Sequence, residues 1–191
     1  MKGYGNYDKY PELKVEGTAW QGWKEIAEQL FRHARGHRRF VVVFDCYTEV
    51  DQAEVREGLS SLGAQWFSSD EAMVSDEAYN ARIREFVTDD RAQGIVCVIG
   101  VGASLIAEGD LLVYLDLARW EIQCRFRKGL GNWKTDNGKA PQLAKFKQGF
   151  FVEWRMADLH KRTLFDKTDY LLDTNAAGDP KMIEGKTWRA G

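Results

Sequence analysis

The sequence predicts a three-layer α/β/α domain built on a parallel sheet, and three observations lead there. Phe40-Val-Val-Val-Phe44, Gly94-Ile-Val-Cys-Val-Ile99 and Leu111-Leu-Val-Tyr-Leu115 are continuous apolar runs rich in β-branched residues, as in strands buried on both faces. Amphipathic helical stretches separate these runs. Parallel neighbours require such crossovers, because a tight hairpin joins only antiparallel strands.

Taken in order, residues 1–18 read as a polar and aromatic lead-in, with Tyr4, Tyr7, Tyr10 and Pro11. Trp20, Trp23, Ile26, Ala27, Leu30, Phe31 and Ala34 then recur at helical spacing, which predicts a helix over 19–35 stopped by Gly36. Strand 40–45 leads into the loop Asp45–Asp51, and Asp51 is placed to cap a helix over 52–62. Gln65–Phe67 is a short strand, Glu77–Phe86 a helix and 94–99 a buried strand followed by Gly100-Val-Gly102-Ala103. Strand 111–116 ends in Asp116 and precedes a helix over 118–128. A Gly/Asn/Lys-rich loop over 129–141 makes 117–141 a lid-like segment of one domain spanning 1–191. A long helix begins at Leu143, and Tyr170–Asp173 is a last short strand before a polar tail.

Composition narrows the function classes. The chain has 191 residues, 27 Lys+Arg against 29 Asp+Glu and a net charge of −2, with 44% hydrophobic and 29% charged residues. That balance belongs to a globular protein and argues against a dedicated nucleic-acid binder. No apolar run reaches the roughly 20 residues of a membrane span, and the N-terminus lacks the apolar core of a signal peptide. A cytoplasmic location is expected, with no nucleic-acid or membrane partner. Cys46, Cys97 and Cys124 have no metal-knuckle spacing. His33 and His37 are four apart but lack a third ligand, so no metal is expected.

Ligands of parallel sheets bind at the carboxyl ends of the strands. The residues to watch are therefore Asp45–Thr48, including Cys46 and Tyr47, then Gly100–Ser104 and Asp116–Arg119. The loop DCYTEVDQAEV follows the first buried strand, where a phosphate-binding loop would sit. It has neither the glycines that wrap a phosphate nor the lysine that neutralises it. Asp45, Glu49 and Asp51 there would repel a triphosphate unless a metal intervened. Asp45 suits either a hydroxyl acceptor or a loop-bonding role, and Gly100 and Gly102 suit either a tight strand exit or close approach to a ligand. Arg119 and Arg127 lie near one helix face, Arg155 and Arg162 follow on the later helix, and all four are candidates to hold an anion.

The segments NYDKYPELKV, VVVFDCYTEVD, IGVGASLI, GDLLVYLDLARWEIQCRFRKG, KQGFFVEWRMADLHKR and LLDTNAAGDPKMIEGKTWRAG, in this order, resemble the N-terminal domain of bacterial class I mannose-6-phosphate isomerase-like proteins. In that family the domain precedes a zinc-dependent cupin isomerase domain. The sequence shows no cupin set of His, Glu and Gln, so the isomerase chemistry carries over to no residue here. The order of elements also resembles a degenerate uridine-kinase-type P-loop fold, with an Arg-rich lid helix but without the phosphate-binding lysine and glycines.

These resemblances imply an accessory domain in sugar-phosphate metabolism that binds a phosphorylated sugar or nucleotide without efficient catalysis and needs no cofactor. Two other readings stand beside it. One is an active phosphotransferase with an atypical loop, in which Asp45 or Asp116 holds magnesium. The other is a module that docks a cupin-type isomerase domain and has no ligand of its own.

Overall fold

The computed structural model describes residues 14–72, 77–89 and 93–191. The lead-in tyrosines Tyr4, Tyr7 and Tyr10, with Pro11, lie outside the described residues, as do Asp90 and Arg91. The expected three-layer α/β/α architecture is present. Its sheet consists of β1 (Ala19–Gln21), β2 (Arg39–Cys46), β3 (Gln65–Ser68), β4 (Gly94–Gly100), β5 (Leu111–Asp116), β6 (Tyr170–Asp173) and β7 (Lys181–Glu184). The spatial order is β1-β7-β6-β5-β2-β4-β3. The three long apolar strands are parallel, with β2 in the centre: Val42 pairs with Cys97 of β4 and with Leu111 of β5. Strands β3 and β6 extend the parallel set on either side.

Alternation along the central strands feeds two layers. Val42, Phe44, Cys97 and Ile99 join one core with Ile26, Ala27 and Leu30 of α1 (Gly22–Ala34). Val41, Val43, Val96 and Val98 join a second core with Ile83 and Val87 of α4 (Glu77–Thr88) and Ala103 and Ile106 of α5 (Ala103–Ile106). The remaining helices are α2 (Gln52–Gly58), α3 (Ser69–Ala72), α6 (Arg119–Arg127), α7 (Gln142–Gln148), α8 (Trp154–Leu164) and α9 (Gly185–Ala190).

The structure corrects four boundaries. The first helix starts at Gly22 rather than residue 19, because Gly22 takes a positive φ of 77° and donates its N–H to the Pro180 carbonyl at 2.8 Å. Residues 19–21 thereby become an edge strand. The segment 52–62 divides into α2 and a 3₁₀ turn, Ser60–Leu62, next to Gly58, whose missing side chain leaves room for the Trp23 ring. The long helix from 142 to 164 contains a π turn, Gly149–Glu153, which turns Glu153 inward. Finally, the polar tail contains β7 and α9. Buried Met182 anchors β7 antiparallel to β6.

Candidate functional site

The carboxyl ends of β2, β4 and β5 meet at Asp45, which is completely buried. Its carboxylate accepts the backbone N–H of Gly102 at 3.2 Å, the N–H of Ser104 at 2.9 Å and the Ser104 hydroxyl at 2.6 Å. His160 of α8 closes the set, with Nε2 at 2.9 Å from Oδ2. The hydrogen bond to Asp45 raises the imidazole pKa, and partial burial only partly opposes it. The group is thus a hydrogen-bonded pin joining β2, the β4–α5 turn and α8, with no carboxylate edge left open to solvent. Gly100 and Gly102 form the turn with φ of 143° and 73°. The backbone's close approach at Gly100 is to the chain's own Ser69 and Asp70.

Beside this pin Tyr47 donates to Asp158 at 3.0 Å, and the Arg119 guanidinium reaches both the Tyr47 hydroxyl and the Asp158 carboxylate. Arg119 also lies over the Trp154 ring at 5.5 Å. Burial pushes the Tyr47 phenol well above its ordinary range. Asp116 at the tip of β5 pairs with Lys161 at 2.7 Å. Arg125 bonds Glu121 and the carbonyls of Glu49 and Thr174. Cys46 is buried, and desolvation together with the neighbouring Asp45 charge raises its thiol pKa. A buried thiol held protonated is a poor nucleophile.

The segment 129–141 is bound to the rest of the fold at several points. Lys145 is buried, and its ammonium donates to the carbonyls of Phe126, Leu130 and Gly138 at 2.7–2.9 Å. Asn132 donates to the Lys145 carbonyl and to Glu153, while Trp133 N–H reaches Glu49. Glu49 has a positive φ of 61°, and its pKa is pushed up to about 7 by burial and by the facing Glu153. Glu49 lines a cleft of about 670 Å³ together with Asp51, Glu54, Glu121, Arg125 and Lys128.

Of the arginines read as anion ligands, Arg119 is held by Asp158, and Arg127 lies 4.9 Å above the Trp120 ring. Arg155 and Arg162 are exposed on α8, whereas Arg119 and Arg127 belong to α6. His33 bonds the Tyr170 hydroxyl at 2.7 Å, and His37 packs on the Phe40 ring. Among the described residues no group of three His, Cys, Asp or Glu is placed to hold a metal. No described helix is long and apolar enough to cross a membrane.

Sequence reasoning missed His160, Glu153 and Lys145 and gave Asp158 no role. Ser104 lies in a segment the reading did flag. Glu153 and Lys145 carried one signal, a charge on the inward side of an apolar helical stripe, where a charge must find partners.

With this geometry in view, comparison with known families is decisive on one point. A family model described as a domain of unknown function, DUF8485, matches residues 22–97 and 91–191. The chain belongs to the DUF8485 family. No curated protein matches it. The family match spans the central strands, the Asp45 pin and the whole α6–α8 region, so the DUF8485 domain includes every site described above.

Proposed function

We propose that this DUF8485 chain is an accessory domain of kinase-like architecture that transfers no phosphoryl group, acting in sugar-phosphate metabolism beside an isomerase-type domain. One observation supports the first part above all. The N-terminus of α2 follows the loop after β2, where a phosphate-binding loop would present its N–H groups. Here the Asp51 carboxylate accepts from Ala53 N at 3.1 Å and Glu54 N at 3.0 Å. The chain's own carboxylate takes N–H groups that a phosphate would otherwise need, which supports the reading that no phosphate is gripped there. Glu49, Glu54 and Glu121 around it add negative charge to the adjoining cleft. The tie to an isomerase rests on the sequence resemblance described above.

A second reading, binding of a phosphorylated sugar or nucleotide without turnover, is favoured by Arg127, Arg155 and Arg162. They are exposed and carry no ion pair with a described residue.

The absence of phosphoryl transfer and the second reading are tested together by magnesium-dependent ATP turnover and by thermal shift with ATP, inorganic phosphate and mannose 6-phosphate. Turnover should be undetectable, because losing the clamp on a transferring phosphoryl group costs several kcal/mol of barrier. ATP turnover above about 1 per second overturns the proposal. A phosphate-dependent rise in melting temperature without turnover selects the second reading.

A further inference from the structure

We infer that the outer face of α8 docks an amphipathic helix of a partner protein, one whose apolar stripe is flanked by carboxylates. Trp154, Ala157 and Leu164 face the core, so Val152, Met156, Leu159 and Thr163 fall on the opposite side. Val152 and Met156 are each 52% exposed, and Leu159 is 63% exposed. Scattered exposed apolar residues need no explanation, but these recur at intervals of four and three, the seam spacing of a helix that packs on another helix. From Val152 to Thr163 the seam covers about 16 Å of helix, some three turns of a partner.

Charge chooses the occupant. Arg155 and Arg162 lie seven apart along one flank of the seam, both exposed and without an ion pair among the described residues. Lys147 adds a third exposed cation on α7. The acidic residues beside the seam are already engaged, Asp158 by Arg119 and Tyr47 and Glu153 by Asn132 and Gln148. A second copy packed antiparallel would bring Arg155 against Arg162, and like charges across a seam oppose pairing. In a parallel copy the facing positions would be Glu153, buried and bonded to Asn132, and His160, committed to Asp45. Self-association is therefore disfavoured in both directions. A helix with Glu or Asp beside its apolar stripe satisfies both features. This inference goes beyond the accessory role proposed above, and it competes with the second reading there, because it gives Arg155 and Arg162 to a partner helix rather than to a phosphate.

The test uses two labelled 21-residue helical peptides with the same Leu stripe, one flanked by Glu and one by Lys, titrated by fluorescence anisotropy against the full chain. The Glu peptide should bind at least ten-fold more tightly than the Lys peptide. The charge reversal Arg155→Glu with Arg162→Glu should invert that preference, and Met156→Ser with Leu159→Ser should weaken both. Circular dichroism checks that each variant is folded, and both pairs sit on exposed positions. Equal affinity for the two peptides, or binding of neither, overturns the inference. So does a dimer in sedimentation velocity that is lost in Leu159→Ser, or co-sedimentation with phosphatidylserine vesicles that is lost in Arg155→Glu.

Discussion

Glu49 and Glu153 face one another as a pair of carboxyl groups within the fold, although they come from the loop after β2 and the π turn before α8. Glu153 accepts from Asn132 at 2.8 Å and from Gln148 at 2.9 Å, so both of its oxygens have donors. Glu49 accepts from Trp133 N–H through Oε1, and the neighbouring Thr48 hydroxyl also favours its carboxylate, but burial and the facing Glu153 outweigh both. Two such carboxylates repel in a medium poorer than water. Burial first, then the repulsion from Glu153, raises the Glu49 pKa to about 7, and a proton on Glu49 donated to Glu153 relieves that repulsion. The pair latches segment 129–141 onto the loop that begins at Asp45.

The first prediction concerns pH. Glu49 is an acid whose folded pKa, about 7, lies above its ordinary 4.5. Between these values the folded state holds a proton that the unfolded state has released, so stability falls as pH rises through the window. The loss through this group is on the order of 1–3 kcal/mol. His160, with its raised pKa, acts in the same direction: its bond to Asp45 contributes fully below the ordinary histidine value and fades as pH passes the folded one. The melting temperature should drop from pH 5 to pH 8. Glu49→Gln, which donates permanently to Glu153, should flatten much of that drop and be the more stable protein at pH 8. An unchanged slope in the variant would show that the pair holds no proton.

The sheet was legible in the sequence because buried parallel strands write themselves as unbroken apolar runs, as at Phe40–Phe44 and Ile95–Ile99. Strand β7 was not legible. Lys181-Met-Ile-Glu184 is only four residues long, and a single buried Met182 gives no alternation to read. The site was only half legible. Asp45 and Tyr47 were found because strand tips can be located from periodicity. Their partners His160 and Asp158 are more than a hundred residues away, and Asp158 and His160 lie on either side of the helix face that periodicity marks as polar. Pairing between side chains so distant in sequence is set by tertiary packing alone.

The second prediction is that Asp45 is a determinant of stability. Removing its carboxylate leaves the N–H groups of Gly102 and Ser104 and the His160 imidazole without their acceptor. Each buried unsatisfied donor costs about 1–3 kcal/mol. Asp45→Ala should therefore lose about 3–5 kcal/mol, a fall of roughly 10 °C or more for a chain of this size. In Asp45→Asn, proton NMR of His160 should show its pKa moving down, because the charge partner is gone. A His160 titration unaltered by that change would show that the imidazole is not coupled to the Asp45 carboxylate.

The third prediction is that Lys145 fastens segment 129–141. Its ammonium lies among three carbonyls, of Phe126 and Leu130 at and beyond the end of α6 and of Gly138 within the segment. A cation at a helix C-terminus is favourable, and here it also satisfies acceptors that water reaches poorly. Lys145→Met keeps the length and volume of the stem but removes all three donors. The carbonyls are then left with weaker partners, a loss of about 2–4 kcal/mol. Because the bonds converge on one segment, the effect should be local as well as global. Amide exchange should accelerate at Asn132 and Thr135 more than at the central strand residues Val42 and Val98. Lys147→Met, on an exposed position of the same helix, should alter neither stability nor exchange. If Lys145→Met exchanges like the native chain at Asn132 and Thr135, the segment is held by Asn132 and Trp133 instead, and the latch between Glu49 and Glu153 becomes its principal tie.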